Sequence, residues 1–387
     1  MSYETLQWST QVVPGIASRA QIKRHQGPYR AAVVAPIAGQ RLAVPSALLA
    51  EIEDAAGELS RFDTEMGGEI APFASVLLRS ESAASSQIEN LTASARAIAE
   101  AEIGTASRRN AAQIVSNTRA MQAAIAMAGR FDAQSILSMH EALMESDHPQ
   151  GAGRWREQQV WIGGGNLGPH GADFVAPHHS RVPPAIDDLI RFIDRTDIPV
   201  LAHTALAHAQ FETIHPFTDG NGRTGRALVH AMLRGKALTR SVTVPISAGL
   251  LTDTPSYFEA LTRYRKGDPS AIIGQFTQAV FVSIRNGRHL IGELRQIRAG
   301  WNERIRLRRD SAAWRVVDLL LRHPVVNAQL IISETGIAPN NVYRNLEPLV
   351  EAKVITEFTY QKRNRAWRCD EVLGALDAFA ARAGRRG

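Results

Sequence analysis

Residues Phe211 to Leu233 read FETIHPFTDGNGRTGRALVHAML. Two apolar helical patterns meet here across a turn, and between His215 and Arg226 the turn holds a histidine, an acid, a Gly-Asn-Gly and two arginines. Pro216 ends the first helix, because the residue before a proline is pushed out of the right-handed helical region. Gly220 and Gly222 let the backbone curl into a nest of N–H groups around Asn221. The nest runs into the next helix N-terminus, where unpaired amides and the helix dipole favour an anion. Arg223 and Arg226, three apart on that helix, share a face and can fork onto further phosphate oxygens. The guest that suits this order is a polyphosphate. Asp219, at the mouth of the nest, then serves best by holding a divalent cation that bridges phosphates, Mg²⁺ first among them. His215, four residues earlier, faces the phosphorus under attack, and an imidazole with a pKa of about 6.5 takes a proton from an incoming hydroxyl at neutral pH. Singly, each residue has a plainer reading: a packed or capping histidine, an Asp-Gly turn, a flexible connection.

Taken in order, HPFTDGNGRTGR resembles the signature of the Fic family, His-x-Phe-x-(Asp/Glu)-Gly-Asn-Gly-Arg-x-x-Arg, and matches it at every defined position. The resemblance implies a mainly all-α fold and transfer of AMP from ATP to a Ser, Thr or Tyr hydroxyl of a target protein, with pyrophosphate leaving. It implies that His215 is the base, Asp219 the metal ligand and Phe217 a packing residue. The turn Gly220, Asn221, Gly222 would hold phosphate oxygens, Arg223 would reach the β-phosphate and Arg226 the γ-phosphate. The segment EQQVWIGGGNLGPHGADFVAPHH breaks the helical period with short strand-like pieces around glycines, so a β-hairpin is expected there. It matches the flap with which the family clamps a target peptide, through Val160, Trp161, Ile162 and Gly163. Tyr257, in a segment similar to the family's YY-x-x-L…GD helix, is expected at the adenine.

Upstream, SSQIEN runs from Ser85 to Asn90. Ser85 and Glu89 are four apart on a predicted helix, an arrangement that usually marks a solvated face. The same six residues match the family's inhibitory motif, (Ser/Thr)-x-x-x-Glu-(Gly/Asn). That match implies that Glu89 pairs with Arg226, takes the place of the γ-phosphate and holds ATP where its α-phosphorus cannot be attacked in line. The same glutamate in some relatives is thought to orient water for removing AMP, so a deAMPylating role is compatible with these residues.

Working outward, 387 residues suggest two or three domains. These are expected as an N-terminal helical region (1–110) carrying the inhibitory motif, a catalytic core (111–290), and a linker helix with a C-terminal module (291–387). Residues 1 to about 41 are poorly periodic; from Pro45 onward helical spacing dominates. Of the charge, 17 Lys and Arg against 11 Asp and Glu fall from Ile291 to Gly387, leaving 27 against 27 before. A basic module on a neutral body suggests an acidic partner, nucleic acid first. Residues from about 312 read as helix, helix-turn-helix and hairpin, resembling a winged helix, with Asn340 to Lys353 as recognition helix and Lys362, Arg363 and Arg365 in the wing. Such modules also serve as protein-docking or homodimer surfaces.

Composition closes off other classes. At 44% hydrophobic and 21% charged the chain should fold as a globular protein. The start, MSYETLQWST, has no basic leader before an apolar core, and no apolar run approaches the roughly 18 to 20 residues of a membrane helix. A cytoplasmic protein without a membrane partner is the expectation. Cys369 is the single cysteine, so neither an intrachain disulfide nor a thiolate zinc site is available. His178-His179 and the His203/His208 pair are the other metal candidates, but the latter lacks the central Glu of His-Glu-x-x-His, which favours packing. Beside adenylyl transfer stand phosphoryl transfer of the Doc type, whose loop departs from Gly-Asn-Gly, and a DNA-binding regulator with a nucleotide-sensing core.

Overall fold

The computed structural model describes residues 1–9, 18–67, 72–105, 108–359 and 364–384. In chain order the elements begin with β1 (Ser2–Trp8), α1 (Arg19–Arg24), β2 (Gly27–Val33), α2 (Ser46–Gly67), α3 (Pro72–Ile88), α4 (Ala95–Glu102), α5 (Arg109–Ala126) and α6 (Ala133–Met144). The middle of the chain gives β3 (Trp161–Ile162), β4 (Phe174–Val175), α7 (Val182–Ile193), α8 (Val200–Ile214), α9 (Asn221–Gly235), α10 (Ile246–Leu251) and α11 (Thr254–Arg265). The last part runs α12 (Pro269–Arg304), α13 (Ala313–Arg322), β5 (Val325–Asn327), α14 (Ala328–Thr335), α15 (Val342–Glu351), β6 (Thr356–Glu357), β7 (Ala366–Arg368) and α16 (Asp370–Gly384). The fold is mainly helical, with small antiparallel sheets. Among the described residues no helix is long and apolar enough to cross a membrane.

The chain forms two compact units. The first comprises residues 1–52, 123–236 and 255–275. Its centre is α8, on which every residue from Leu201 to Ile214 is buried. A helix buried on all sides needs partners on all sides, and VLAHTALAHAQFETI supplies alanines that let them approach. Gly225 shows how close α9 comes: a Cβ there would stand 2.9 Å from Glu212 Oε1 and 3.0 Å from Phe211 Cδ1. The N-terminal segment, expected to be irregular, instead contributes a pair of seven-residue strands, β1 antiparallel to β2 with Ser2 opposite Val33 and Trp8 opposite Gly27. The alternation of Leu6 and Trp8 carried this signal, but the long connection between the strands leaves no tight-turn signature to flag a hairpin.

The second unit comprises residues 53–122, 237–254 and 276–387. Buried polar side chains fix the register of its helices. Asp63 on α2 accepts the backbone N–H groups of Arg240 (2.8 Å), Ser241 (2.9 Å) and Val242 (2.8 Å). Glu81 on α3, wholly buried, accepts the Ser247 amide at 2.8 Å and its hydroxyl at 2.5 Å. Asn117 on α5 donates to the Ser82 carbonyl and to Ser86 Oγ. Each satisfies groups that would cost more buried and unpaired than any bond gains. Toward the C-terminus, α13 to α16 accompany a three-stranded sheet of order β5-β7-β6, and Gly336 ends α14 in the left-handed conformation that glycine adopts freely (φ 67°).

Asp63→Ala strands three amides at once and is expected to lower unfolding free energy by about 2–4 kcal/mol in urea titration, with Asp63→Asn losing less because one acceptor oxygen remains.

Candidate active site

The first unit assembles the loop from α8, α9 and one arginine that no motif announced. His215 follows α8 with its N–H still on the Phe211 carbonyl (2.9 Å) but its backbone left-handed, φ 51° and ψ 61°. Pro216 removes it from the helical region as expected, toward the left-handed basin rather than the extended one. Arg156 holds that conformation. Its Nε donates to the His215 carbonyl at 2.8 Å, Nη1 to Gln158 O at 2.8 Å and Nη2 to Pro177 O at 2.6 Å, while its own amide donates to Pro216 O at 3.0 Å. A single buried guanidinium therefore ties the loop to both feet of the β3/β4 hairpin. Burial lowers its pKa to about 10, which leaves it cationic at neutral pH.

The loop's interior is packed. Phe217, fully buried, stacks on His140 at 3.6 Å with planes 3° apart, and on Trp155 at 5.1 Å. His140 Nδ1 accepts the Gly153 amide, which leaves the Nε2 proton to donate to the Asp219 carbonyl at 3.1 Å. The Asn221 side chain closes the turn on itself, accepting Phe217 N–H at 2.8 Å and donating to Phe217 O at 2.9 Å. That amide thus organises the loop, and what the segment offers a guest is backbone. Gly220 stands at φ 74°, and a Cβ there would press to 3.0 Å on Leu143 and Met144. Its conformation and its space both require glycine.

Around this frame stand the polar groups. Burial first, then the charges of Arg265 and Arg156, push the His215 pKa down to about 3, so the imidazole is neutral at physiological pH. Its Nδ1 lies 4.0 Å from Glu212 Oε2. Arg223 and Arg226, each 3% exposed, lie in the first turns of α9, with Arg223 Nη2 3.6 Å from Asp219 Oδ1. Thr224 N–H donates back to the Gly220 carbonyl at 2.9 Å, while the amides of Asn221 and Gly222 belong to the helix's first turn, where N–H groups point away from the helix's own carbonyls. Asp219 is 57% exposed and accepts Gly220 N–H at 2.6 Å. No cluster of three His, Cys, Asp or Glu suited to a metal exists among the described residues. One accessible carboxylate beside an anion nest fits Mg²⁺, which keeps most of its waters and takes the rest of its ligands from phosphates.

The hairpin lies where the sequence placed it, Trp161 opposite Val175 and Ile162 opposite Phe174. Gly163 turns at φ 75°, and a Cβ there would collide with the Asp173 carboxylate. The brace behind it was not foreseen. Val160 packs with Ala32, Phe174 and Ala176. Trp8 stands edge-on to Trp161 at 5.2 Å and donates to Leu167 O, and Arg265 lies 3.9 Å over the Phe174 ring. Tyr257 is 1% exposed, with its hydroxyl 2.7 Å from His208 Nε2, so it anchors α11 to α8; neighbouring Phe258 is half exposed. His203 Nε2 likewise contacts the Phe192 carbonyl at 2.7 Å, and both histidines pack helices as their spacing favoured.

Ser85 and Glu89 belong to the second unit, at the end of α3: Ser85 is buried and Glu89 half-buried. Asn90 follows at φ 61°, and Leu91 N–H returns to Ser86 O at 3.0 Å. The Asn of the motif is thus a left-handed helix stop, which explains why Gly is its alternative. Of the basic residues expected in a wing, Arg365 is paired with Glu357 and lies over Tyr343 and Trp367, whereas Lys362 and Arg363 lie outside the described residues.

Burial also lowers the pKa values of His140 and His203 to about 4 and of His208 to about 3. Each of these rings and His215 is neutral when folded and titrates at about 6.5 when unfolded. Below about pH 6.5 the unfolded chain takes up more protons, so stability is fully present above that pH and falls as pH drops toward 4. Melting temperatures from pH 8 to pH 4 are expected to be flat and then to decline from about pH 6.5. Arg156→Met is expected to leave three carbonyls without their donor and to lower the melting temperature more than Arg156→Lys does.

Comparison with known proteins agrees with this geometry. Residues 130–233, which hold α6 to α9, the hairpin and the loop, match the model of the Fic/DOC family. Over 143 residues the chain is 33% identical to the protein adenylyltransferase Fic of Nematostella vectensis, covering 34% of this chain and 28% of that protein. It is 32% identical over 101 residues to protein adenylyltransferase fic-1 of Caenorhabditis elegans, covering 25% and 18%. The chain thus spans about a quarter of the length of these curated relatives. The solved structure of a Fic family protein from Desulfovibrio desulfuricans G20 superposes with a TM-score of 0.53 at 21% identity, covering 85% of this chain and 97% of that one, a likeness of fold. Loop, hairpin and the helices from α6 into α9 thus all lie within the residues, 130–233, that match the Fic/DOC family model.

Proposed function

We propose that the protein is a nucleotidyltransferase that moves AMP from ATP to a hydroxyl of a target protein. The observation that carries this reading is the neutral, half-buried His215 at the entrance to the first turn of α9, where backbone amides and two arginines gather positive potential. The polyphosphate lies on the first-turn amides of α9, beginning with Asn221 and Gly222, with Arg223 and Arg226 on the β- and γ-phosphates. His215 Nε2 accepts the proton of the attacking Ser, Thr or Tyr hydroxyl. The bond from that oxygen to the α-phosphorus forms as the bond to the pyrophosphate oxygen breaks. Glu212, beside Nδ1, favours the tautomer that leaves Nε2 free to accept. Mg²⁺, when held by Asp219 and the phosphates, neutralises charge on the leaving group. The hairpin presents Trp161 and Ile162 with an unpaired backbone edge to an extended target segment. Phe258, half exposed, is the side chain of α11 that a base can reach.

In this reading Glu89 restrains the enzyme by competing for Arg226. The relatives named adenylyltransferase support the chemistry, and the helix stop at Asn90 supports a fixed position for the glutamate. The order of helices and strands from α13 to β7 supports a winged-helix reading of the C-terminal module, whose partner is DNA, another protein or a second copy of the chain.

Incubation with α-labelled ATP tests the proposal. Glu89→Gly is expected to raise protein labelling about tenfold or more over the native chain, and His215→Ala to abolish it. Unchanged labelling in His215→Ala would remove the mechanism; label from the γ-position in place of the α-position would make it a phosphoryl transfer.

A further inference from the structure

Helices α3, α4 and α16 in the second unit face one another with alanines, among them Ala83 and Ala84, Ala99, and Ala380. Side chains this short do not meet, and space remains: about 70 Å³ that the centre of a water-sized sphere can reach. One water needs roughly 10–15 Å³ by that measure, so about five to seven water-sized positions are present, room for one small ring system. Ile98 and Phe379 complete apolar walls. The charged groups at the edge are engaged with one another. Arg79 Nε lies 2.5 Å from Glu102 Oε1, Nη2 lies 3.0 Å from His323 Nδ1, and Nη1 donates to the Arg322 carbonyl. Asp377 accepts the Ala95 amide at 2.8 Å. A charged guest would have to break these pairs in a poorly solvated place, whereas an uncharged apolar one breaks none.

We propose that this space is a binding site for a compact, uncharged, apolar molecule with a single ring system. Gln87 and Leu91, on either side of Glu89, line the same space, so an occupant bears directly on the turn that positions the glutamate. Occupancy favours whichever packing of α3 keeps the walls in place, and it stiffens the segment from Ser86 to Thr92. That this changes enzyme output rests on the reading of Glu89 given above; the site itself does not.

The test uses the full chain with indole as probe and benzoate and benzylamine as charged counterparts. Indole is expected to raise the melting temperature saturably and to slow hydrogen exchange at residues 86–92, and the charged rings to do neither. Ala380→Leu fills the space and is expected to keep its unliganded melting temperature and lose the indole response; Ala99→Met replaces it should that variant melt early. No saturable shift, an undiminished shift in the filled variant, or equal binding of benzoate overturns the site. Indole is further expected to change labelling by the native chain and not by Glu89→Gly. Equal effects on both, with binding intact, remove the regulatory part alone. A Glu89→Gly protein that labels nothing removes the enzymatic reading, while the melting and exchange results still decide the site.

Discussion

Everything around the candidate site hangs on the guanidinium of Arg156. Its three side-chain bonds all end on backbone carbonyls, one in the catalytic loop and one at each foot of the hairpin. A planar group with five donors in fixed directions sets relative positions that a flexible ammonium cannot. The left-handed turn at His215 costs free energy for a β-carbon residue, and the bonds at His215 O and Pro216 O offset it. His215, its left-handed turn and the hairpin are consequently one mechanical piece.

A second constraint is the use of polar groups inside helices to fix register. Asp63, Glu81, Asn117 and Arg79 each pair with backbone or side-chain groups at defined positions, where an apolar core would tolerate a slide. Glu89 is held by this, because α3 is bound along its length before it reaches the left-handed stop at Asn90. The same helix shares its alanine-lined flank with the C-terminal helix, so the tail and the motif belong to one packed body.

Much of this was legible beforehand, for identifiable reasons. The ends of α8 and α9 follow from Pro216 and Gly220, whose backbone restrictions are local, and the hairpin follows from a break in period flanked by glycines. Arg156 was invisible because its partners are carbonyls, which leave no trace in sequence. The strands β1 and β2 were missed because their pairing spans a long connection, and because alternation over seven residues is weak alone. The turn from Gly220 to Gly222 was expected to hold phosphate oxygens, and residue type alone cannot convey that the Asn221 side-chain amide is spent on Phe217. Tyr257 likewise carries a hydroxyl whose partner, His208, stands 49 positions away.

The hairpin is fastened at its feet and along its flank. Arg156 grips the feet, Trp8 reaches from β1 to Leu167, His170 contacts the Pro28 carbonyl on β2 at 3.2 Å, and Arg265 lies over Phe174. Between those points the chain from Gly163 to Asp173 touches neither base nor anion nest by any bond described above. The stretch from Val160 to Ala176 is therefore a cassette. Its tip can be exchanged, lengthened or reshaped while the loop beneath it stays in register, provided that these fastenings travel with the graft.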